Sequence, residues 1–163
     1  MESLPKRFEH VKGVVERAYM VSEFLENDKE FLISAAYLHD IGYSNLLNKN
    51  NFHPLDGALY LKSKNLDRLA SLVAYHSSAL FEAELRGFSK QLKQFEKEDS
   101  LIDSALTYCD MTTNSEGKQV SFKDRLDNIF SRYDKSTIVY AAMNKSLPKL
   151  ENDVKRIENL MKK

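Results

Sequence analysis

The stretch AAYLHDIGY, residues 35–43, decides how the rest of the chain reads. Small and apolar residues lead into an adjacent His39-Asp40 pair, and Gly42 follows closely. With Leu32, Ala35, Ala36 and His39 on one side, the spacing predicts a helix from Lys29 to about His39. Gly42 is expected to stop it, as the left-handed residue that a helix C-terminus favours. Neighbouring side chains splay by about 100° in mid-helix, but a last turn can relax and aim both at one point. The negative end of the helix also favours a cation there.

Apolar residues recur at three- and four-residue intervals through nearly the whole chain, Gly and Pro number only 5 and 3, and strand-like alternation is rare. About eight helices in an all-α, single-domain bundle are therefore expected. The first spans about Lys6 to Leu25 with Val11, Val14, Val15, Ala18 and Val21 on its apolar face, and Asn27 and Asp28 end it and cap the next. A polar loop, Asn45 to Asn51, leads to His53-Pro54, where His53 is expected at the N-cap of a helix over Leu55 to Lys62. Asn65 is expected to cap a fourth helix carrying Leu66, Leu69, Val73 and His76 on one inward stripe.

A charged helical region follows from Phe81 to Glu98, interrupted near Gly87, and a helix opened by Asp99 or Ser100 ends near Asp110. Met111 to Val120 has turn chemistry and is the longest polar break. Ser121 and Asp124 resemble a capping box for a helix reaching Tyr133. Ser136 opens the last helical section, which Pro148 is expected to interrupt. Beyond it Leu150, Val154, Ile157 and Met161 predict a packing helix, structural or contributing to a homodimer contact.

The 163 residues suit one domain, with a core at about 6–133 and a helical extension at 134–163. Lys plus Arg equals Asp plus Glu at 24 each, so no global field draws the chain to nucleic acid or an anionic membrane. The N-terminal MESLPKRFEHVKG alternates charged with apolar residues and lacks the unbroken apolar character expected of a signal or membrane span. The single cysteine, Cys109, has no internal disulfide partner and is expected to be a small buried hydrophobe, so a cytoplasmic setting is expected.

All four histidines, His10, His39, His53 and His76, fall at a helix end or on an inward stripe, and Asp40 and Asp110 share those places. One such histidine is ordinarily a satisfied core residue; four together with two carboxylates point to ligands. Imidazole mixed with carboxylate suits Fe, Mn, Zn, Co or Ni, whereas an all-oxygen set would suit Mg or Ca.

His10, then AAYLHDIGY, then Asp110 in ALTYCDMTT together resemble the HD superfamily of metal-dependent phosphohydrolases. The likeness covers His10 to Asp110 and extends through the following helix to Tyr133. The resemblance implies an HD-type helical fold in which His10, His39, Asp40 and Asp110 bind one metal. His53, in FHPLDGA, and His76, in AYHSS, are similar to the extra histidines of two-metal members, with Asp40 bridging the ions. Some such members have a double histidine where this chain has His76-Ser77, and the GYP signature of the cyclic-dinucleotide branch is missing because Ser44 follows Gly42-Tyr43.

The expected activity is hydrolysis of a small phosphoester, a nucleotide among the candidates, by water activated at one or two divalent transition metals, with His39 and Asp40 at its centre. Two divalent ions against Asp40 and Asp110 would leave a local charge of about +2 to attract phosphate. Lys118 and Arg125, flanking the start of the helix after the loop, are the first candidates for a phosphate clamp. Ser77, Ser78, Thr112 and Thr113 lie beside ligands, where a hydroxyl can touch substrate or cap a helix. Tyr43, Tyr75 and Tyr108 are expected as core or rim aromatics. A diiron oxygenase with this ligand order, and a non-catalytic metal-binding signalling module, are the other readings.

Overall fold

A computed structural model describes residues 4–163. The described chain is built from helices: α1 (Leu4–Ser22), α2 (Lys29–Leu38), α3 (His53–Ser63), α4 (Asp67–Tyr75), α5 (Ala79–Arg86), the single turn α6 (Ser89–Leu92), α7 (Leu101–Met111), α8 (Phe122–Arg132) and α9 (Ile138–Met161). Two 3-10 turns, Ile41–Tyr43 and His76–Ser78, follow α2 and α4. The described residues form no strand, only an isolated bridge between Thr113 and Gln119. No described helix is long and apolar enough to cross a membrane.

Helix α7 is the axis. Every residue from Ile102 to Met111 is buried, and α1, α2, α4, α8 and α9 all pack on it. A helix covered on all sides can carry a polar residue such as Asp110 only where partners meet it. On α1, His10, Val14, Ala18 and Val21 share the buried stripe, so the same spacing that builds the core aims the histidine inward.

Several local expectations are corrected. Gly42 is not in the left-handed region; the positive-φ glycines are Gly87 and Gly117. What requires glycine at 42 is proximity, because a Cβ there would stand 2.0 Å from the His53 carbonyl oxygen and 2.7 Å from the Gly57 nitrogen. The residue capping α3 is Phe52, and His53 is its first helical residue, followed by Pro54 in the first turn.

Asn65 does not cap α4. It ends α3 at φ 60°, while its N–H donates to Lys62 and the N–H of Leu66 donates to Leu61, the paired bonds of a left-handed C-terminal motif. Asp28 stands at the N-cap of α2 without a side-chain cap bond, because its carboxylate accepts from Arg68 at 2.7 Å. Thr137, one residue after Ser136, caps α9 by accepting from the Tyr140 N–H.

Pro148 does not interrupt α9, which runs unbroken past it. Proline lacks the N–H that would bond the carbonyl of Asn144, but both residues lie on the exposed face, where water can satisfy that oxygen. The opposite face, with Ala142, Ser146, Leu150, Val154 and Ile157 buried, holds the helix together across the proline. Val154 and Ile157 enter the main core, so α9 is packed on its own chain through α7 and α5.

Candidate metal centre

Five separate elements deliver six side chains to one place. His10 comes from α1, His39 and Asp40 from the end of α2, His53 from the start of α3, His76 from the residue after α4, and Asp110 from α7. His39 keeps helical dihedrals at φ −57°, ψ −35°, whereas Asp40 leaves the helix at φ −101°, ψ 9°. This change of direction lets the adjacent side chains converge, with His39 Nε2 3.4 Å from Asp40 Oδ2. The close approach of Gly42 to α3 then seats His53 beside Asp40, its Nε2 3.3 Å from Oδ1.

The donors fall into two groups, His10 with His39 and Asp110, and Asp40 with His53 and His76; within each, the ligand atoms lie within 4.8 Å of one another. Asp40 stands between them: Oδ2 faces His39, while Oδ1 faces His53 and, at 3.9 Å, His76. Donors about 2.1 Å from a shared ion stand roughly 3–4 Å apart, so small rotations suffice to close either group on a cation.

Three histidines have their tautomer fixed by main-chain carbonyls, which can only accept. His39 Nδ1 donates to Ala36 at 2.7 Å, His76 Nδ1 to Val73 at 2.6 Å, and His10 Nδ1 to Asn114 at 3.0 Å. Each ring therefore turns Nε2 inward, the arrangement in which an outer hydrogen bond orients a ligating imidazole. His39 Nε2 is buried with no hydrogen-bond partner. Its ion-pair contact with Asp40 Oδ2, at 3.4 Å, does not complete a hydrogen bond, and a cation between the imidazoles and carboxylates would satisfy that nitrogen. The residues fit one or two divalent ions.

Electrostatics mark the cluster as charged and coupled. Burial pulls His39 down, but Asp40, with Asp110 behind it, overrides this and raises it to about 9. Burial would raise Asp40, yet His39, His53 and Arg7 hold its carboxyl well below the usual range. Asp110 is likewise held low against its burial by His10, His39 and Arg125. His53 and His76 are pushed down by burial, and by His76 and His39 respectively, so they stay neutral.

The surrounding shell holds residues that spacing alone did not reveal. Arg7, one helical turn before His10, donates to Asp40 Oδ2 at 3.1 Å and lies 4.0 Å over the Tyr43 ring. Tyr43 in turn stacks on His53 at 4.0 Å between centroids. An arginine at i−3 from a candidate ligand was the available signal. The long polar loop docks on α1 through two glycines: a Cβ on Gly13 would meet the Gly117 carbonyl oxygen at 2.1 Å. That contact brings the Asn114 carbonyl to His10.

The two clamp candidates separate. Arg125 is buried, with Nη2 4.0 Å from Asp110 Oδ1. Lys118 is exposed, its ammonium on Glu116, and is not gathered with the cluster. Ser77 donates to Asp110 Oδ2. Thr112 and Thr113 donate back to the Tyr108 and Cys109 carbonyls, and Ser78 stands at the start of α5. Burial raises the Cys109 thiol far above its usual value, which leaves it inert.

Comparison with known proteins agrees with this architecture: the HD domain profile matches residues 7–129. No curated protein and no solved structure matches the chain.

Proposed function

Because the chain belongs to the HD domain family, we propose that it is a metal-dependent phosphohydrolase acting on a small phosphoester, with nucleotides as the first substrate class to test. One observation carries the reading: three imidazoles give Nδ1 to backbone carbonyls and turn Nε2 toward two buried carboxylates, Asp40 lying between the groups. Such an arrangement suits transition-metal ions, which supply Lewis-acid polarisation of phosphate and an acidified water.

The protein's own residues do the rest. His10, His39 and Asp110 form one candidate ligand set, His53 and His76 the other, and Asp40 has one oxygen toward each. Arg7 and Arg125 flank the cluster through Asp40 and Asp110 respectively, and their guanidiniums match the two-point geometry of a phosphate. His53, 19% exposed and stacked on Tyr43, lies on the solvent side of the cluster. Burial and Asp40 push the Tyr43 phenol up, so Tyr43 remains a neutral wall beside His53.

The test is elemental analysis of the purified protein joined to phosphate release over a nucleotide panel with Mn²⁺, Co²⁺ or Ni²⁺. Phosphate release that needs metal and is lost in Asp40→Ala is the expected result. Protein inert with every added ion would overturn the proposal, and oxygen consumption by iron-loaded protein without phosphate release would replace it with an oxygenase.

A further inference from the structure

The chain leaves α4 through two consecutive residues in the left-handed region, Ser77 at φ 48°, ψ 38° and Ser78 at φ 60°, ψ 35°. Glycine takes this conformation freely, whereas a side chain with a Cβ is strained there. Strain of this kind is retained where the surroundings impose it, often beside a functional site. Here the turn directly follows His76 and carries the Ser77 hydroxyl to Asp110 Oδ2. The other oxygen, Oδ1, faces His10 Nε2 at 3.0 Å and Arg125 Nη2 at 4.0 Å.

Resting on the metal-binding reading, we infer that Ser77 is a positioning residue: by occupying Oδ2 it makes Asp110 a one-oxygen ligand and directs Oδ1 to the His10–His39 group. The consequence is selectivity. Calcium takes six to eight oxygens, often with a carboxylate giving both, whereas a smaller transition ion in a mixed nitrogen and oxygen set needs fewer donors and keeps positions open for water and phosphate. A hydroxyl that withholds one Asp110 oxygen therefore favours the smaller ion. Ser78 separates the hydroxyl from the strain, because it shares the left-handed backbone and lacks the bond to Asp110.

The experiment is calorimetric titration of wild type, Ser77→Gly and Ser78→Gly with Mn²⁺ and Ca²⁺, with Co²⁺ absorption as a report on coordination. Both glycine variants accept the turn, so folding is preserved. Ser77→Gly is expected to weaken Mn²⁺ at one site by roughly 10–100-fold, the usual effect of removing an outer-shell partner. Its Ca²⁺ affinity should change less, and its Co²⁺ spectrum should shift. Ser78→Gly should match wild type. Equal Mn²⁺ isotherms for wild type and Ser77→Gly, or an equal loss in Ser78→Gly, would overturn the role of Ser77 while metal binding by wild type stands. Absence of metal binding by wild type would overturn both readings.

Discussion

His10 donates its Nδ1 hydrogen to the carbonyl of Asn114, 3.0 Å away and 104 positions along the chain. That bond exists because the loop seats Gly117 on Gly13 with no room for a Cβ. Gly117→Ala would meet the Glu9 carbonyl oxygen at 2.4 Å and force a residue with a Cβ to φ 78°. We expect it to lift the loop, free His10 to rotate, and lower metal affinity at the His10 group about tenfold. Loss of stability should be about 1–3 kcal/mol. Metal titration and denaturant unfolding check the two effects separately.

Gly42→Ala attacks the other group. Its Cβ would collide with backbone of α3, which has no flexible end to yield. About 3 kcal/mol of destabilisation is expected, together with displacement of His53 from Asp40. Metal held by the Asp40, His53 and His76 group should be lost, with the His10 group retained. Unchanged metal stoichiometry would mean that the turn does not set the position of His53.

Metal uptake should depend on pH through His39. Its value is raised to about 9, so in the metal-free protein the imidazolium pairing with Asp40 is fully present below pH 6.5 and is lost as pH rises through about 9. A cation must displace that proton. Apparent affinity should therefore rise about tenfold per pH unit below 9 and level off above it. At pH 8, metal at a hundred times its dissociation constant should stabilise the fold by about 2.7 kcal/mol, and chelation should remove this increment. A melting temperature indifferent to metal and chelator would contradict it.

Far from the ligands, Asp103 is buried on α7, 3.6 Å from Lys149, whose ammonium is already bonded to both oxygens of Asp153. Burial, with Asp153 adding and Lys149 opposing, raises the Asp103 carboxyl to about 6. The folded protein thus holds a proton that the unfolded chain releases, so this group lowers stability as pH climbs from about 4 to 6, and the penalty persists above. Asp103→Asn should add about 3 kcal/mol at pH 7.5 and nothing near pH 3.5. Urea unfolding at both pH values measures this; equal shifts at both would show that ionisation is not the cause.

The helical class and the six gathered side chains were legible in the sequence because both rest on local rules. A 3.6-residue period places His10 on the stripe of Val14, Ala18 and Val21, and metal chemistry needs a small choice of residue types. Helix ends are less legible: Asn65, Ser136 and Pro148 each carry a turn or cap propensity that neighbouring contacts redirect. Tertiary structure alone decided which ligands group together, that Asp40 lies between the groups, that Arg7 reaches it, and why Gly42 and Gly117 are glycines. Those facts depend on backbones and side chains far apart in the chain meeting at a few ångströms, and residue spacing carries no record of such distances.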